Sequence, residues 1–267
     1  MPTSVAFFGS HPLGERCLDR LVDHPEVSVD LVVTYPADYD GWWDGSLWDR
    51  ATDHGLDVRP VEDERDLLDV EVDWLLSVHY PNVLDGDLLD HPAEGALNLH
   101  QAELPRYRGA NMFTHAIRNA RPDDHWQYGT TMHFMVEKVD AGDIVARKFL
   151  DIRETDTART LYDRTETVSV ELFEELLPAI VSGAVHGMGT PQDEFDGERY
   201  YYSKASLDGE KLIPAAELAA AEDDPEAELE LYDRVRSLDF PPHEPAHTEL
   251  GGRTVYLTTS GYEEPNP

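Results

Sequence analysis

Asn98 and His100 stand two residues apart at the end of the apolar run Ala96-Leu97-Asn98-Leu99-His100. On a β-strand that spacing sends both side chains from one face. Leu104-Pro105-Arg106-Tyr107-Arg108-Gly109 follows as a rigid, cationic turn. Forty residues after His100, Asp140 opens Asp140-Ala141-Gly142-Asp143-Ile144, a tight turn ahead of another apolar strand. A carboxamide donor, a titratable imidazole and a carboxylate suit acyl transfer onto a nucleophile. Taken singly, a histidine here reads as a satisfied core residue and an aspartate as a turn stabiliser. The set, with the cationic turn between its parts, argues for chemistry.

The elements that must hold these groups alternate. Ser4 to Phe8 followed by Gly9 reads as a buried strand, Leu13 to Val22 as a helix, and Val27 to Thr34 as a second strand. Leu56 to Pro60, Trp74 to Val78 and Ala96 to His100 supply three more strands, with Trp48 to His54 and Ala110 to Ala120 as helices. The expected fold is α/β: a Rossmann-like, mostly parallel sheet with helices on both faces, binding ligands at the carboxyl ends of its strands. Asn98, His100 and the stretch Ser77 to Tyr80 fall at such ends. Tyr128 to Val136 and Ile144 to Ile152 read as strands flanking the Asp140 turn. Asp156 to Val181 reads as a long helix capped by Thr155 or Asp156 and stopped at Gly183. Beyond Gly187 the chain turns irregular except for a hairpin, Ala246 to Leu250, Gly251-Gly252, Thr254 to Thr258. The expected domains are 1–186, catalytic, and 187–267, a small C-terminal module carrying the hairpin.

Fifty-five Asp and Glu against 21 Lys and Arg give a formal charge of −34 over 267 residues, yet 40% of the residues are apolar, which argues against disorder. The acids are dispersed, as in Asp63-Glu64-Arg65-Asp66, and form no single patch for a cationic partner. Molar salt, where the Debye length falls to about 3 Å, screens such self-repulsion. The reading is a salt-adapted, soluble, cytoplasmic protein. Its acidity disfavours nucleic acid without excluding tRNA. Cys17 is the sole cysteine, set in the first helix, and excludes an internal disulfide. No stretch approaches the apolar length of a membrane helix.

Other patterns carry less. His243-Glu244-Pro245-Ala246-His247 has the lettering of a zinc-protease helix, but Pro241, Pro242 and Pro245 break the helix it needs. Gly9 to Gly14 lacks the Lys-Ser/Thr of a phosphate loop. Trp42, Trp43 and Trp48, like Tyr200-Tyr201-Tyr202, read either as a stacking platform for a sugar or base or, more plainly, as local packing.

Asn98-Leu99-His100-Gln101-Ala102-Glu103-Leu104-Pro105-Arg106-Tyr107-Arg108-Gly109-Ala110-Asn111 resembles the signature of the folate-dependent formyltransferases. The likeness continues through Tyr128-Gly129-Thr130-Thr131-Met132-His133 to Val139-Asp140-Ala141-Gly142-Asp143-Ile144, with a weaker echo in Arg234 to Leu257. It implies Asn98, His100 and Asp140 as catalytic residues and 10-formyltetrahydrofolate as formyl donor, with no metal. The pterin is expected against the loop after the fourth strand (Ser77, His79, Tyr80, Val83) and beside Val139 and Asp140. Arg106, Arg108, Gly109 and Asn111 are expected on the substrate side, the two arginines holding a phosphate or the folate's glutamate, or else pairing with nearby acids. Ala102 replaces the serine often found in the family, and Glu103 an apolar residue. The tail looks short for the full C-terminal barrel of the tRNA enzymes, and overall length is nearer the sugar N-formyltransferases. The expected acceptor is therefore a small-molecule amine, such as a nucleotide-linked amino sugar. Methionyl-tRNA, water (a hydrolase) and silent folate binding are the alternatives. The hairpin is a candidate homodimer contact.

Overall fold

The computed structural model describes residues 2–259. Their elements run β1 (Thr3–Gly9), α1 (His11–Val22), β2 (Val27–Thr34), α2 (Leu47–Asp53), β3 (Val58–Pro60), β4 (Trp74–Val78), α3 (Gly86–Asp90), β5 (Gly95–His100), β6 (Tyr107–Gly109), α4 (Met112–Ala120), β7 (Gln127–Phe134), β8 (Ile144–Asp151) and α5 (Ala158–Val181). Then come β9 (Tyr200–Tyr202), α6 (Ala215–Ala221), α7 (Pro225–Ser237) and the hairpin β10 (Ala246–Leu250) and β11 (Arg253–Leu257).

Seven strands form one sheet in the order β3-β2-β1-β4-β5-β7-β8. The pairs from β3 to β5 are parallel, while β7 runs antiparallel to β5. The winding reverses between β1 and β4, and at such a switch point an open α/β sheet leaves a crevice at its strand ends. Strand periodicity fixes the two faces. Val5 and Phe7 join the core under α1 and α5, whereas Ala6 and Phe8 join the one with Leu88 and Leu89 of α3. Phe7, Phe8 and Leu31 are fully buried, each contributing about 1.5–3 kcal/mol through its removal from water.

The described residues pack as two compact units that interleave along the chain. The first comprises residues 2–108, 129–149 and 166–200; the second comprises 109–128, 150–165 and 201–259. Residues on both sides of the expected 186/187 boundary lie in the first unit. The second unit has its own small core, in which Ile213, Leu238 and Ala246 gather Leu218, Leu231, Val235 and Leu257.

Three local expectations shift. The third strand is only Val58–Pro60. The long helix begins at Ala158, two residues late, because Thr157 caps it: the Thr160 N–H donates to Thr157 Oγ1 at 3.2 Å and the Thr157 N–H to Thr160 Oγ1 at 2.9 Å. Gly183, with φ of 72°, ends it as expected. The stretch read as irregular contains α7, capped by Asp224 with Pro225 in its first turn.

Candidate functional site

On β5, Leu97 and Leu99 are buried while Asn98 and His100 share the other face. β5 meets β7 with Asn98 opposite His133 and His100 opposite Thr131. Thr131 Oγ1 donates to the Ala102 carbonyl at 2.8 Å and accepts the Leu104 N–H at 3.1 Å, which pins the turn after His100. Asn98 Nδ2 lies 3.2 Å from His133 Nε2. His100 Nε2 lies 3.1 Å from the Tyr107 carbonyl, which can only accept, so Nε2 carries a proton and Nδ1 faces outward.

Nδ1 of His100 faces Asp140 Oδ1 at 3.8 Å, and His133 Nε2 stands 3.7 Å from the same oxygen. The His100 and Asp140 side chains are only 13% and 10% exposed, so their Coulomb coupling is little screened. Forty residues of chain thus return the carboxylate to within 3.8 Å of the imidazole. Burial pushes His133 down to about 4, opposed by Asp140 and assisted by His100, so its ring is neutral near pH 7.

The Asp140 turn is held on three sides. Asp140 has φ of 51°, a left-handed conformation that short polar side chains tolerate best. A Cβ on Gly142 would come within 1.9 Å of the Phe134 carbonyl, so only glycine fits. Gln192 Nε2 donates to the carbonyls of Asp140 and Gly142, both at 2.8 Å. Arg108 grips the Val139 carbonyl through Nη2 at 2.7 Å and Nε at 3.2 Å.

At the switch point, Ser10 Oγ meets His11 Nδ1 at 2.7 Å and donates to the His79 carbonyl. His11 and His79 both have positive φ, 63° and 56°. The His11 ring stacks on Trp43 at 3.6 Å and meets His79 edge-on at 4.4 Å. Burial, then the nearby His79, pushes His11 down to about 2; burial, then His100, pushes His79 down to about 4. Ser77 is buried in β4, whereas Val83 is 70% exposed. The Tyr80 hydroxyl donates to Glu64 at 2.7 Å, which ties it to the short helical segment before β4. The Trp42/Trp43 loop therefore packs on His11, while Trp48 belongs to α2.

The arginines part company. Arg108 holds backbone, the Val139 carbonyl. Arg106 is 7% exposed and lies 5.5 Å from the ring centroids of Tyr107 and Tyr200. Gly109 and Asn111 belong to the second unit. There a Cβ on Gly109 (φ 98°) would meet the Tyr202 carbonyl at 2.1 Å, and Asn111 Nδ2 donates to Lys204 O at 3.2 Å and Ser206 Oγ at 3.1 Å. The zinc-protease lettering does not form a helix: His247 lies on β10 opposite Tyr256, and His243 in the turn before it.

A family model described as formyl transferase matches residues 56–177. That span contains Asn98, His100, Asp140 and the loop after β4. This chain thus carries a formyl transferase domain at residues 56–177. It is 29% identical over 263 residues to the methionyl-tRNA formyltransferase of Bacillus licheniformis, covering 95% of this chain and 77% of that enzyme. Against the Bacillus subtilis enzyme the identity is 27%, over 79% of this chain and 62% of the other. Among solved structures, a sugar N-formyltransferase from a Shewanella species shares the fold at a TM-score of 0.71 and 18% identity, over 96% of each chain. So does an N-formyltransferase of Helicobacter canadensis in complex with folinic acid and dTDP-3-aminofucose, at 0.70 and 17%, over 94% of this chain and 85% of that one.

Sequence reasoning gave no role to two residues at this site. His133 appeared only as a letter in the family-like run, and no single-chain signal shows that it faces Asn98. Gln192 lies fifty residues beyond Gly142 in a Pro- and acid-rich stretch, where nothing local marks it. Of the two departures from the family pattern, Ala102 is buried with its carbonyl on Thr131. Glu103 is 8% exposed and sits in the field of Arg147.

Proposed function

We propose that this chain transfers the formyl group of 10-formyltetrahydrofolate to a primary amine on a small-molecule acceptor, a nucleotide-linked amino sugar. The observation that carries the reading is the convergence of Asn98, His100 and Asp140, with Asp140 Oδ1 3.8 Å from His100 Nδ1. When the amine attacks, a new C–N bond forms and charge builds on the formyl oxygen. The Asn98 amide donates to that oxygen, and losing one such donor typically costs about a hundred- to a thousandfold in rate. Asp140, 3.8 Å from His100 Nδ1, takes the amine's proton, directly or through water. As the bond to the folate nitrogen breaks, His100 Nδ1–H supplies the proton that nitrogen needs. Nε2 stays on the Tyr107 carbonyl, so Nδ1 is the nitrogen left for proton traffic.

The donor's pterin fits the loop Ser77 to Val83 together with Val139 and Asp140: Val83 offers an exposed apolar contact and His79 a ring that is neutral near pH 7. Arg106 serves the anionic part of a substrate, while Arg108 acts on it indirectly by steadying the Asp140 turn. The dispersed charge of −34 supports work in a salt-rich cytoplasm, and the buried free thiol of Cys17 agrees with a reducing one. No helix among the described residues is long and apolar enough to cross a membrane.

A second reading keeps the chemistry and changes the acceptor to methionyl-tRNA, favoured by the identity to enzymes of that name. The acidic surface, which a polyanion avoids, favours the first. Mass spectrometry decides between them. In molar salt with 10-formyltetrahydrofolate, the first reading expects one formyl unit gained by a dTDP-linked amino sugar and none by methionyl-tRNA. The reverse result transfers the assignment to tRNA, and folate turnover without any acceptor makes the protein a hydrolase.

A further inference from the structure

We propose that His133 is a positioning residue for formyl transfer: its unprotonated Nε2 accepts a hydrogen bond from the Asn98 amide and fixes that carboxamide with its second N–H left to serve the oxyanion. The inference rests on the reading of Asn98 as oxyanion donor and adds to it the group that aims the donor.

The tautomer follows from the partners. His133 Nδ1 lies 2.7 Å from the Phe134 carbonyl, and a carbonyl only accepts, so Nδ1 carries the proton. A neutral ring has one such proton, which leaves a lone pair on Nε2. That lone pair, 3.2 Å from Asn98, repels an amide oxygen and attracts an amide N–H. The orientation of the carboxamide, a choice between two faces of nearly equal shape, is thereby settled. Strand register supplies the placement, since Asn98 and His133 face each other across β5 and β7. Burial supplies the protonation state: His133 is 2% exposed, and the neutral ring is the one its surroundings favour. A proton on Nε2 would turn that nitrogen into a donor toward Asp140, 3.7 Å away, and Asn98 would lose its acceptor. A histidine serving the core alone needs only the Phe134 carbonyl. The second nitrogen is directed at a residue assigned to the reaction.

The test uses the full chain in molar salt, 10-formyltetrahydrofolate, and whichever of dTDP-3-aminofucose or methionyl-tRNA the wild type formylates. Four variants are compared: His133→Leu, His133→Gln, Asn98→Ala and the Asn98→Ala/His133→Leu double. His133→Leu should lower kcat about thirtyfold or more, short of the full loss of an oxyanion donor, with KM for both substrates within about threefold. His133→Gln, whose amide can both donate to Phe134 O and accept from Asn98, should recover most of the rate. The double variant should be no slower than Asn98→Ala, because His133 acts only through Asn98. Imidazole 15N spectra of the wild type should show His133 protonated at Nδ1 and bare at Nε2. An Asn98→Ala enzyme at full rate, or a wild type active on neither acceptor, removes the reading beneath and this inference with it. A slow Asn98→Ala beside a fast His133→Leu removes the positioning role alone, as do multiplicative losses in the double variant or a proton on Nε2. Should His133→Leu fail to fold, the glutamine variant and the tautomer measurement decide.

Discussion

Two buried polar clusters, one in each unit, use the same kinds of residue to different ends. In the second unit Asp233 accepts from Arg121 Nε and from Arg236 Nε, both at 2.8 Å. Arg236, with no exposed surface, also donates to the carbonyls of Asp156 at 2.8 Å and Arg153 at 3.2 Å. Charge meets charge at hydrogen-bond length, and such a network anchors α7. In the first unit Asp140 Oδ1 stands 3.7 Å from one imidazole and 3.8 Å from another, inside Coulomb reach and outside hydrogen bonding. Ion pairs at that length hold their protons still. A carboxylate set just beyond two imidazoles leaves distance for a proton to be passed, directly or through water. Close pairing marks structure here, and held separation marks chemistry.

That contrast can be broken from either side. Asp140→Asn keeps the shape of the turn and removes its charge; formyl transfer should fall about a thousandfold or more, with little change in melting temperature in molar salt. An unaltered rate would erase the distinction between the clusters. Arg236→Ala should act the opposite way, costing about 3–5 kcal/mol in chemical unfolding because Asp233 keeps a buried charge with one partner fewer. A loss below about 1 kcal/mol would mean that the second cluster does not anchor.

Acid sharpens the comparison. His11, His79 and His133 have values pushed down in the folded chain to about 2, 4 and 4. From an ordinary value near 6.5, the unfolded chain takes up these protons first. Their contribution to stability is complete above about pH 6.5 and is lost as pH falls toward 4. Melting curves at constant molar salt should therefore drop across that window, less steeply in His133→Gln. A flat profile would contradict the neutral assignments. Gly251→Ala should do least: the hairpin turn has open space around Gly251 but a φ of 57°, so the cost is about 1 kcal/mol, seen only in unfolding.

Much of the first cluster was legible because strand periodicity is strict. Leu97 and Leu99 point inward, so Asn98 and His100 had to share the other face, and the Asp140-Ala141-Gly142 turn announced itself by composition. The partners across the sheet were not legible. His133 reaches Asn98 only because β7 runs antiparallel in one register, and a lone sequence does not encode which strand lies beside which. The grip of Arg108 on the Val139 carbonyl was not legible either, since what an arginine touches depends on where a distant loop folds. Helix α7 was missed because acids at Glu226, Glu228 and Glu230 mask its apolar spacing, although Asp224-Pro225 marked its start. The sugar-or-packing choice for Trp42 and Trp43 turned on His11, whose ring no spacing connects to them.

The central claim is that His100 moves the proton this reaction needs. His100→Ala should be assayed in molar salt with 10-formyltetrahydrofolate and whichever acceptor the wild type formylates, following formylated amine by mass spectrometry. The account predicts product from the wild type and roughly a thousandfold less from a variant that remains folded by circular dichroism. Equal product from both would contradict it.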